Sequence, residues 1–240
     1  MRERVTFSIE SSLLKRLDQL VDGIRVRNRS HALEIVLERL LGADVFLFVG
    51  DKQQAKDAEA TISWVKEQGF NVTMVAPLGI TKGEFIADPG QGTAAALLAL
   101  QGRVKNTFVI IYSDAPKIEI QDMLRFHHNQ GGISTLAVTS AKEPKRYGVV
   151  NLKGVKVKEF VEKPETTKSY LVSAGIFIFE PEVFQYIPQD SKSLERDALD
   201  LLSKNGLLNG YVFEGMEPPK KCPSCQQLRE YYEPEAMCFE

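Results

Sequence analysis

The amino-terminal segment of the chain shows two hydrophobic periods in succession. Polar and apolar residues alternate over Arg4–Ile9, which predicts a strand with one apolar and one polar face. Leucines then recur at helical spacing, which predicts a helix capped by Ser11 or Ser12 and ended by Gly23. A second helix is predicted after a cap at Ser30, with its apolar stripe at Leu33, Val36, Leu37, Leu40 and Leu41.

A lone strand and two short helices bury too little surface to be stable as a monomer, so this segment predicts a homodimer. The strand RVTFSI, the helix SSLLKRLDQLV and the segment NRSHALEIVLERLL resemble the ribbon-helix-helix (MetJ/Arc-type) family of prokaryotic DNA-binding proteins. The resemblance implies that two strands pair into a ribbon that enters the major groove of double-stranded DNA. It leaves open whether dimers pair into tetramers.

The resemblance to that family also implies which residues contact DNA. Outward side chains of the ribbon read base edges, because Arg grips guanine with two hydrogen bonds and hydroxyls bond several bases. The amino terminus of the second helix binds phosphate through free backbone N–H groups. The implied DNA-binding residues are Arg4, Thr6 and Ser8 for the bases, and Arg29, Ser30 and His31 for phosphate.

From Asp44 onward, short apolar runs alternate with helical stretches. Predicted strands at 45–49, 72–76, 108–112 and 134–139 are separated by predicted helices at 52–68, 93–100 and 118–128. Shorter predicted strands follow at 147–151, 156–161 and 171–179, and then predicted helices at 182–186 and 194–204. This order predicts an α/β fold with a Rossmann-like, mostly parallel sheet flanked by helices. The predicted domains are 1–42 (ribbon-helix-helix, β-α-α), 44–215 (α/β) and a Cys-containing tail at 216–240.

Several segments of the α/β domain, in order, resemble the sugar-1-phosphate nucleotidyltransferase family. These segments are GQGTAAAL at 90–97, FVIIYSD at 108–114, YGVV at 147–150, EKP at 162–164 and SAGIF at 173–177. The family's fold places ligands beyond the carboxyl ends of the strands. The resemblance implies a magnesium ligand at Asp114 if a nucleotide binds, and a ligand site formed by Gln91, Gly92, Thr93, Asp114, Gly148, Glu162, Lys163 and Gly175.

Two elements of that family are absent from the sequence. The first strand is followed by GDKQQ, without the glycine-rich, arginine-bearing loop that cradles a triphosphate. The segment after the strand near Gly210–Phe213 lacks the second metal-binding aspartate. Because phosphoryl transfer depends on positioning and charge, we expect that the chain is not an enzyme and has no catalytic residues. The domain is then expected to sense a sugar phosphate, a nucleotide or a nucleotide sugar as an effector.

Composition and charge add limits. Residues 1–41 carry eight Lys/Arg against six Asp/Glu, so this segment has a net charge of +2 and the rest of the chain a net charge of −4. The chain has no predicted signal peptide or transmembrane run, which indicates a cytoplasmic location without a membrane partner. The three cysteines, Cys222, Cys225 and Cys238, all lie in the tail and include one C-x-x-C pair, which is a candidate structural zinc site.

Three functions remain open at this point. The favoured one is a sequence-specific DNA-binding transcriptional regulator with an effector-sensing α/β domain. The second is an active sugar-1-phosphate nucleotidyltransferase with an autoregulatory DNA-binding head. The third is an architectural or antitoxin-type protein whose α/β domain binds a protein partner.

Overall fold

The computed structural model describes residues 6, 8–24, 26–80 and 85–213. The chain divides into two compact units, Met1–Gly42 and Ala43–Glu240. Within the described part of the chain, no helix combines the length and apolar character that crossing a membrane requires.

The first unit contains two helices, α1 (Ser11–Asp18) and α2 (Arg29–Leu41). A bidentate ion pair joins them: Nε and Nη2 of Arg29 donate to the two carboxylate oxygens of Asp18 at 2.6 and 2.8 Å. The hydrogen bond and the charge of Arg29 together hold the pKa of Asp18 below its usual value. Because both groups are exposed, this pair orients the two helices more than it stabilises them.

The helix caps in the first unit differ from the prediction. Glu10 stands at the N-cap of α1 without a capping side chain, and α1 ends at Asp18 rather than at Gly23. At the start of α2 the side chain of Asn28 accepts the His31 backbone N–H at 3.0 Å. The prediction of a Ser30 cap with a free N–H at His31 is therefore wrong, because α2 begins at Arg29 and the side-chain oxygen of Asn28 already accepts the His31 N–H. Residues 1–5 and 7 of the predicted ribbon, including Arg4, lie outside the described residues.

The second unit is built on one nine-stranded sheet in the order β3-β2-β1-β4-β8-β5-β9-β7-β6. Its strands are β1 (Asp44–Phe48), β2 (Val72–Pro77), β3 (Phe85–Asp88), β4 (Phe108–Tyr112), β5 (Ser134–Ser140), β6 (Gly148–Lys153), β7 (Lys156–Glu162), β8 (Leu171–Phe179) and β9 (Leu208–Val212). The helices are α3 (Lys52–Glu67), α4 (Thr93–Leu98), α5 (Ile120–Gln130) and α6 (Asp200–Lys204). Short 3-10 helices span Pro144–Arg146 and Pro181–Tyr186, and a π-helix spans Leu194–Leu199.

Strand direction is more mixed than the prediction of a mostly parallel sheet. Strands β3, β2, β1 and β4 are parallel, but β8 runs antiparallel to both β4 and β5. Strand β7 runs antiparallel to both β6 and β9. The α/β class is as predicted. The antiparallel direction of β8 was not anticipated, because a strand buried on both faces has the same apolar pattern in either direction.

Both faces of the central strands are covered. In β4, Phe108 and Ile110 pack into one apolar cluster, whereas Val109 and Ile111 pack into a second cluster on the opposite face. All four side chains are fully buried. Alternate residues of a strand point to opposite faces, so a sheet covered on both sides requires the continuous apolar run seen in the sequence.

The chain reverses its direction of travel across the sheet at β1. From β1 it proceeds outward to β2 and β3, and then crosses to β4 on the other side of β1. Side chains beyond the carboxyl ends of β1 and β4 therefore flank a topological switch point, where open α/β sheets bind their ligands.

Candidate functional site

The turn after β1 forms one side of the switch point, and side chains near the turn accept its backbone N–H groups. The Asp51 carboxylate caps α3 by accepting the backbone N–H groups of Gln53 and Gln54, both at 2.8 Å. The Gln54 side-chain oxygen accepts the Gly50 N–H at 2.6 Å. This turn passes directly into α3, with no long loop between them.

The turn after β4 makes the other side. Tyr112 is the last residue of β4, and its carbonyl accepts the Ala115 N–H at 3.0 Å, which closes a turn around Ser113 and Asp114. The Thr61 hydroxyl of α3 donates to the Ser113 carbonyl at 3.4 Å. Asp114 is exposed at the tip of this turn. The carboxylate thus projects from a turn that is held from two sides.

A glycine-rich segment leads into α4. Gly92 adopts φ 109° and ψ 176°, and a Cβ atom there would lie 2.2 Å from the carbonyl oxygen of Lys192. Only glycine permits this approach, because that backbone conformation is closed to residues with a side chain. The Lys192 carbonyl in turn accepts the Ala94 N–H at 3.1 Å. Gln91, beside Gly92, is exposed.

Strands β6 and β7 bring Gly148 and Glu162 together. The two residues are paired across the strands, and a Cβ at Gly148 would lie 2.3 Å from the Phe160 ring and 2.9 Å from a Glu162 carboxylate oxygen. Lys163, with φ 47°, places its Nζ 3.7 Å from the other Glu162 oxygen. A glycine at position 148 therefore leaves room for the Glu162 carboxylate.

The electrostatics around Glu162 come from burial and a second carboxylate. Burial of the side chain and the nearby charge of Glu195 raise the pKa of Glu162, while Lys163 and Arg196 oppose the rise. Partial burial and the neighbouring carboxylate of Glu195 therefore destabilise the ionised form of Glu162. A hydrogen-bond donor or a cation from a ligand would stabilise that form.

Two residues of this region, Tyr112 and Glu195, were not predicted as site residues from the sequence. The Tyr112 hydroxyl donates to Oε1 of Glu195 at 2.5 Å, and the Thr93 hydroxyl donates to Oε2 at 2.9 Å. Gly175, with φ 73°, lies against Tyr112, where an added Cβ would be 3.3 Å from the Tyr112 Cβ. No local motif links Glu195 to Tyr112 and Thr93, because these two partners are 83 and 102 residues away in sequence.

Most of the predicted ligand residues thus belong to one connected set. Thr93, Glu162 and Gly175 are linked through Tyr112 and Glu195, and Gly148 adjoins Glu162. Asp114 follows Tyr112 by two residues.

Comparison with known proteins identifies the family. A family model described as nucleotidyl transferase matches residues 25–212. The chain belongs to the nucleotidyl transferase family. A second model, described as the rubredoxin-like domain of rubrerythrin, matches residues 209–233.

Similar proteins of known name are sugar nucleotidyltransferases. A putative mannose-1-phosphate guanyltransferase of Sulfolobus acidocaldarius is 34% identical over 110 residues, covering 45% of this chain and 30% of that protein. Mannose-1-phosphate guanyltransferase beta-B of Xenopus laevis is 32% identical over 130 residues, covering 52% and 36%. The chain therefore aligns with about a third of the length of these relatives.

Two solved structures share the fold of most of this chain. A putative glucose-1-phosphate thymidylyltransferase from Bacillus anthracis, solved with sucrose, superposes with a TM-score of 0.59 at 20% identity, covering 72% of this chain and 88% of that one. HddC from Yersinia pseudotuberculosis gives a TM-score of 0.58 at 15% identity, covering 72% and 92%. At these identities the likeness concerns the fold.

Two predictions from the sequence are contradicted by these matches. The favoured function, a DNA-binding transcriptional regulator, is wrong, because the family match and the named relatives indicate a sugar nucleotidyltransferase. The expectation that the chain is not an enzyme is wrong for the same reason. That expectation inferred loss of function from two short segments, although magnesium at a phosphate site often takes only one or two protein carboxylates.

Proposed function

We propose that the second unit is a sugar-1-phosphate nucleotidyltransferase domain of the mannose-1-phosphate guanylyltransferase type. Its reaction joins a nucleoside triphosphate and a sugar 1-phosphate into a nucleotide sugar. A phosphate oxygen of the sugar 1-phosphate attacks the α-phosphorus, and the bond from that phosphorus to the bridging oxygen breaks as pyrophosphate leaves. The observation that carries this proposal is the nucleotidyl transferase match over residues 25–212.

The sugar 1-phosphate is assigned to the region of Gly148, Glu162 and Lys163. The Glu162 carboxylate accepts hydrogen bonds from sugar hydroxyls, and the exposed Lys163 ammonium, 3.7 Å from it, neutralises the phosphate. Gly148 matters because any side chain there would collide with Glu162 and Phe160. Gly175 lets β8 approach Tyr112 closely.

The nucleotide is assigned to Gln91–Thr93 and the turn after β4. Exposed Gln91 contacts the base or ribose, and the backbone at Gly92 approaches the ligand without a side chain in the way. Asp114 projects from the switch point, where the reacting phosphates would lie.

A magnesium ion fits Asp114 by the chemistry of the donor. Magnesium prefers oxygen ligands and is commonly bound by one or two carboxylates together with water and substrate phosphates. Across the ranges that the structure covers, no three His, Cys, Asp or Glu side chains are grouped as a metal site. A site completed by substrate phosphates therefore suits this exposed carboxylate. When bound, magnesium would neutralise charge on the reacting phosphates.

The experiment is a pyrophosphate-release assay on the purified chain. The substrates are five nucleoside triphosphates (GTP, ATP, UTP, CTP and dTTP) crossed with mannose, glucose and galactose 1-phosphates, with and without magnesium. We expect release that requires both substrates and the metal, fastest with GTP and mannose 1-phosphate. Glu162→Gln should raise the KM for the sugar phosphate, whereas the exposed-site control Glu182→Gln should behave as wild type. Absence of release with every pair contradicts the proposal.

A metal site in the tail is supported by a separate observation. The rubredoxin-like match over 209–233 includes Cys222 and Cys225, and we propose that these thiolates bind zinc or iron together with Cys238. The three cysteines lie outside the described residues. Metal analysis of the purified chain tests the proposal: bound metal should be lost in Cys222→Ser and Cys225→Ser, and an equal metal content in all three proteins would overturn it.

The described residues of the first unit favour a second copy of this chain as its partner. Among the described side chains of this unit Ala32 is the sole buried one, while Leu13, Leu20 and Leu37 are 47%, 50% and 43% exposed. So small a unit with exposed leucines suits packing against a second copy. Light scattering after gel filtration should give a dimer that Leu13→Glu dissociates, and a monomeric wild type would contradict this. A cytoplasmic location stays a prediction.

A further inference from the structure

Glu195 occupies an unusual position among the acidic residues of the site, because three hydroxyl groups donate to it. Tyr112 donates to Oε1 at 2.5 Å, while Thr93 and Ser193 donate to Oε2 at 2.9 and 3.0 Å. These hydroxyls belong to the end of β4, the first residue of α4 and the turn before the π-helix. One carboxylate therefore holds three separate parts of the chain.

The link to α4 is reinforced by the backbone. Thr93 donates to Glu195 and at the same time accepts the Leu194 N–H at 2.9 Å. One residue on, the Ala94 N–H donates to the Lys192 carbonyl at 3.1 Å, beside the close approach of Gly92. The segment that contains Gln91 and Gly92 is thereby fixed to the turn that carries Glu195.

The link to β4 runs through an immobilised ring. Tyr112 lies 6.1 Å from Phe48 and 5.4 Å from Phe177 between ring centroids, and it contacts Gly175. Burial and the charge of Glu195 raise the pKa of Tyr112 well above its usual value, so the phenol remains a donor. The next turn presents Asp114, whose position depends on where Tyr112 ends the strand.

Glu195 and Glu162 differ in what they offer a ligand. The oxygens of Glu195 already receive three donors, whereas Glu162 has a side chain that is 15% exposed and a salt bridge to Lys163 at 3.7 Å. A carboxylate that already accepts three of the roughly four hydrogen bonds its oxygens can accept mainly organises its neighbours, whereas a carboxylate with more acceptor capacity left can bind hydroxyl groups.

We propose that Glu195 is a positioning residue of the transferase site, which sets the distance between the nucleotide segment Gln91–Thr93 and the turn of Asp114 without contacting either substrate. This proposal rests on the proposed function. Its physical basis is the energetic value of charge-assisted hydrogen bonds in a partly buried network. It predicts that loss of Glu195 affects the reaction step more than ground-state binding.

The test compares Glu195→Gln, Tyr112→Phe and the exposed control Glu182→Gln in the intact chain. For Glu195→Gln we expect kcat to fall by about 10- to 100-fold, the range that loss of a charged hydrogen-bond network produces. The KM for the sugar 1-phosphate should change less than about 3-fold. Tyr112→Phe should give a smaller fall, and the double variant little more than Glu195→Gln alone, because both changes break one network.

Other outcomes overturn the proposal. A raised KM for the sugar phosphate with unchanged kcat would make Glu195 a ligand contact, and wild-type kinetics in Glu195→Gln would remove its role. Amide hydrogen exchange is read in parallel and needs no turnover. Exchange at Ala94, Leu194 and Ala115 should be at least about 10-fold faster in Glu195→Gln than in Glu182→Gln. If wild type shows no turnover, the proposed function fails, and equal exchange in the two variants refutes the positioning role separately.

Discussion

Substitution of Gly92 by alanine tests the close packing of the site directly. Gly92 has φ 109° and ψ 176°, and an added Cβ would lie 2.2 Å from the Lys192 carbonyl oxygen and 3.0 Å from its carbonyl carbon. Both of these are backbone atoms, so no side chain can swing away to make room. The Ala94 N–H is bonded to the same carbonyl, which opposes its movement.

The expected loss of stability has two parts. Placing alanine in a conformation almost confined to glycine costs about 1–3 kcal/mol. Relieving the overlap with Lys192 requires a backbone shift on the order of 1 Å, and overpacking of this kind costs about 1–3 kcal/mol. We therefore expect Gly92→Ala to lower the free energy of unfolding by about 2–6 kcal/mol in total.

Urea unfolding followed by circular dichroism measures this loss, with Gly102→Ala as the matched control. Gly102 has φ 77°, but an added Cβ would meet nothing within 4 Å. The control therefore carries only the backbone cost, about 1–2 kcal/mol. If the two variants lose the same stability within about 0.5 kcal/mol, with unchanged m-values, the contact between Gly92 and Lys192 does not constrain the site.

Three further predictions concern the core and two ionisable groups. Phe108 is fully buried between Phe179 and Phe184, both with ring centroids 5.8 Å away, so Phe108→Ala should cost about 3–5 kcal/mol in urea unfolding; a loss under about 1 kcal/mol would contradict that packing. Burial raises the pKa of Glu180, but hydrogen bonds from His127 and Thr107 outweigh it and leave that pKa below the ordinary value. Its stabilising effect should be full above about pH 4.3 and disappear as pH falls through the lowered pKa, so Glu180→Gln should flatten the acid limb of stability measured by urea midpoints, and an unchanged limb would refute this. Burial and the charge of Glu195 raise the pKa of Glu162, so sugar-phosphate affinity measured by calorimetry should decline from a pH above the usual glutamate range as pH is lowered. The decline should be shallower in Glu162→Gln, where the ligand phosphate, with a second pKa of about 6, still titrates; equal slopes in the two proteins would exclude Glu162 as a source.

Much of the second unit could be predicted from hydrophobic pattern. The bounds of β4 and β8 match the predicted 108–112 and 171–179, and α3 differs from its prediction by one residue, because long buried runs and end glycines give strong signals. Strand β3 was missed, since Phe85–Asp88 has four residues with no buried side chain and no alternation. The predicted helix 194–204 is a π-helix followed by α6. Hydrophobic periodicity over so few residues does not distinguish a π-helix from an α-helix.

The candidate site was only partly accessible to sequence reasoning. Motif order indicated Asp114, Gly148, Glu162 and Gly175, whose roles remain proposals. Tyr112 ends an apolar strand and looks like a core residue, and its bond to Glu195 spans 83 positions of sequence. Such long-range pairs leave no local pattern. The prediction of a DNA-binding regulator was wrong for a different reason. It was based on the resemblance of a short amino-terminal segment and on two missing motifs, whereas the nucleotidyl transferase match covers residues 25–212.

The most direct test of the transferase proposal is mass-spectrometric detection of the nucleotide sugar formed by the full chain. Wild-type protein, GTP, mannose 1-phosphate and magnesium should yield GDP-mannose in amounts exceeding the enzyme concentration. Asp114→Asn should reduce the rate by at least about 100-fold, because the proposed magnesium ligand is lost. Failure of wild type to form any nucleotide sugar from these substrates, or equal rates for wild type and Asp114→Asn, would contradict the account.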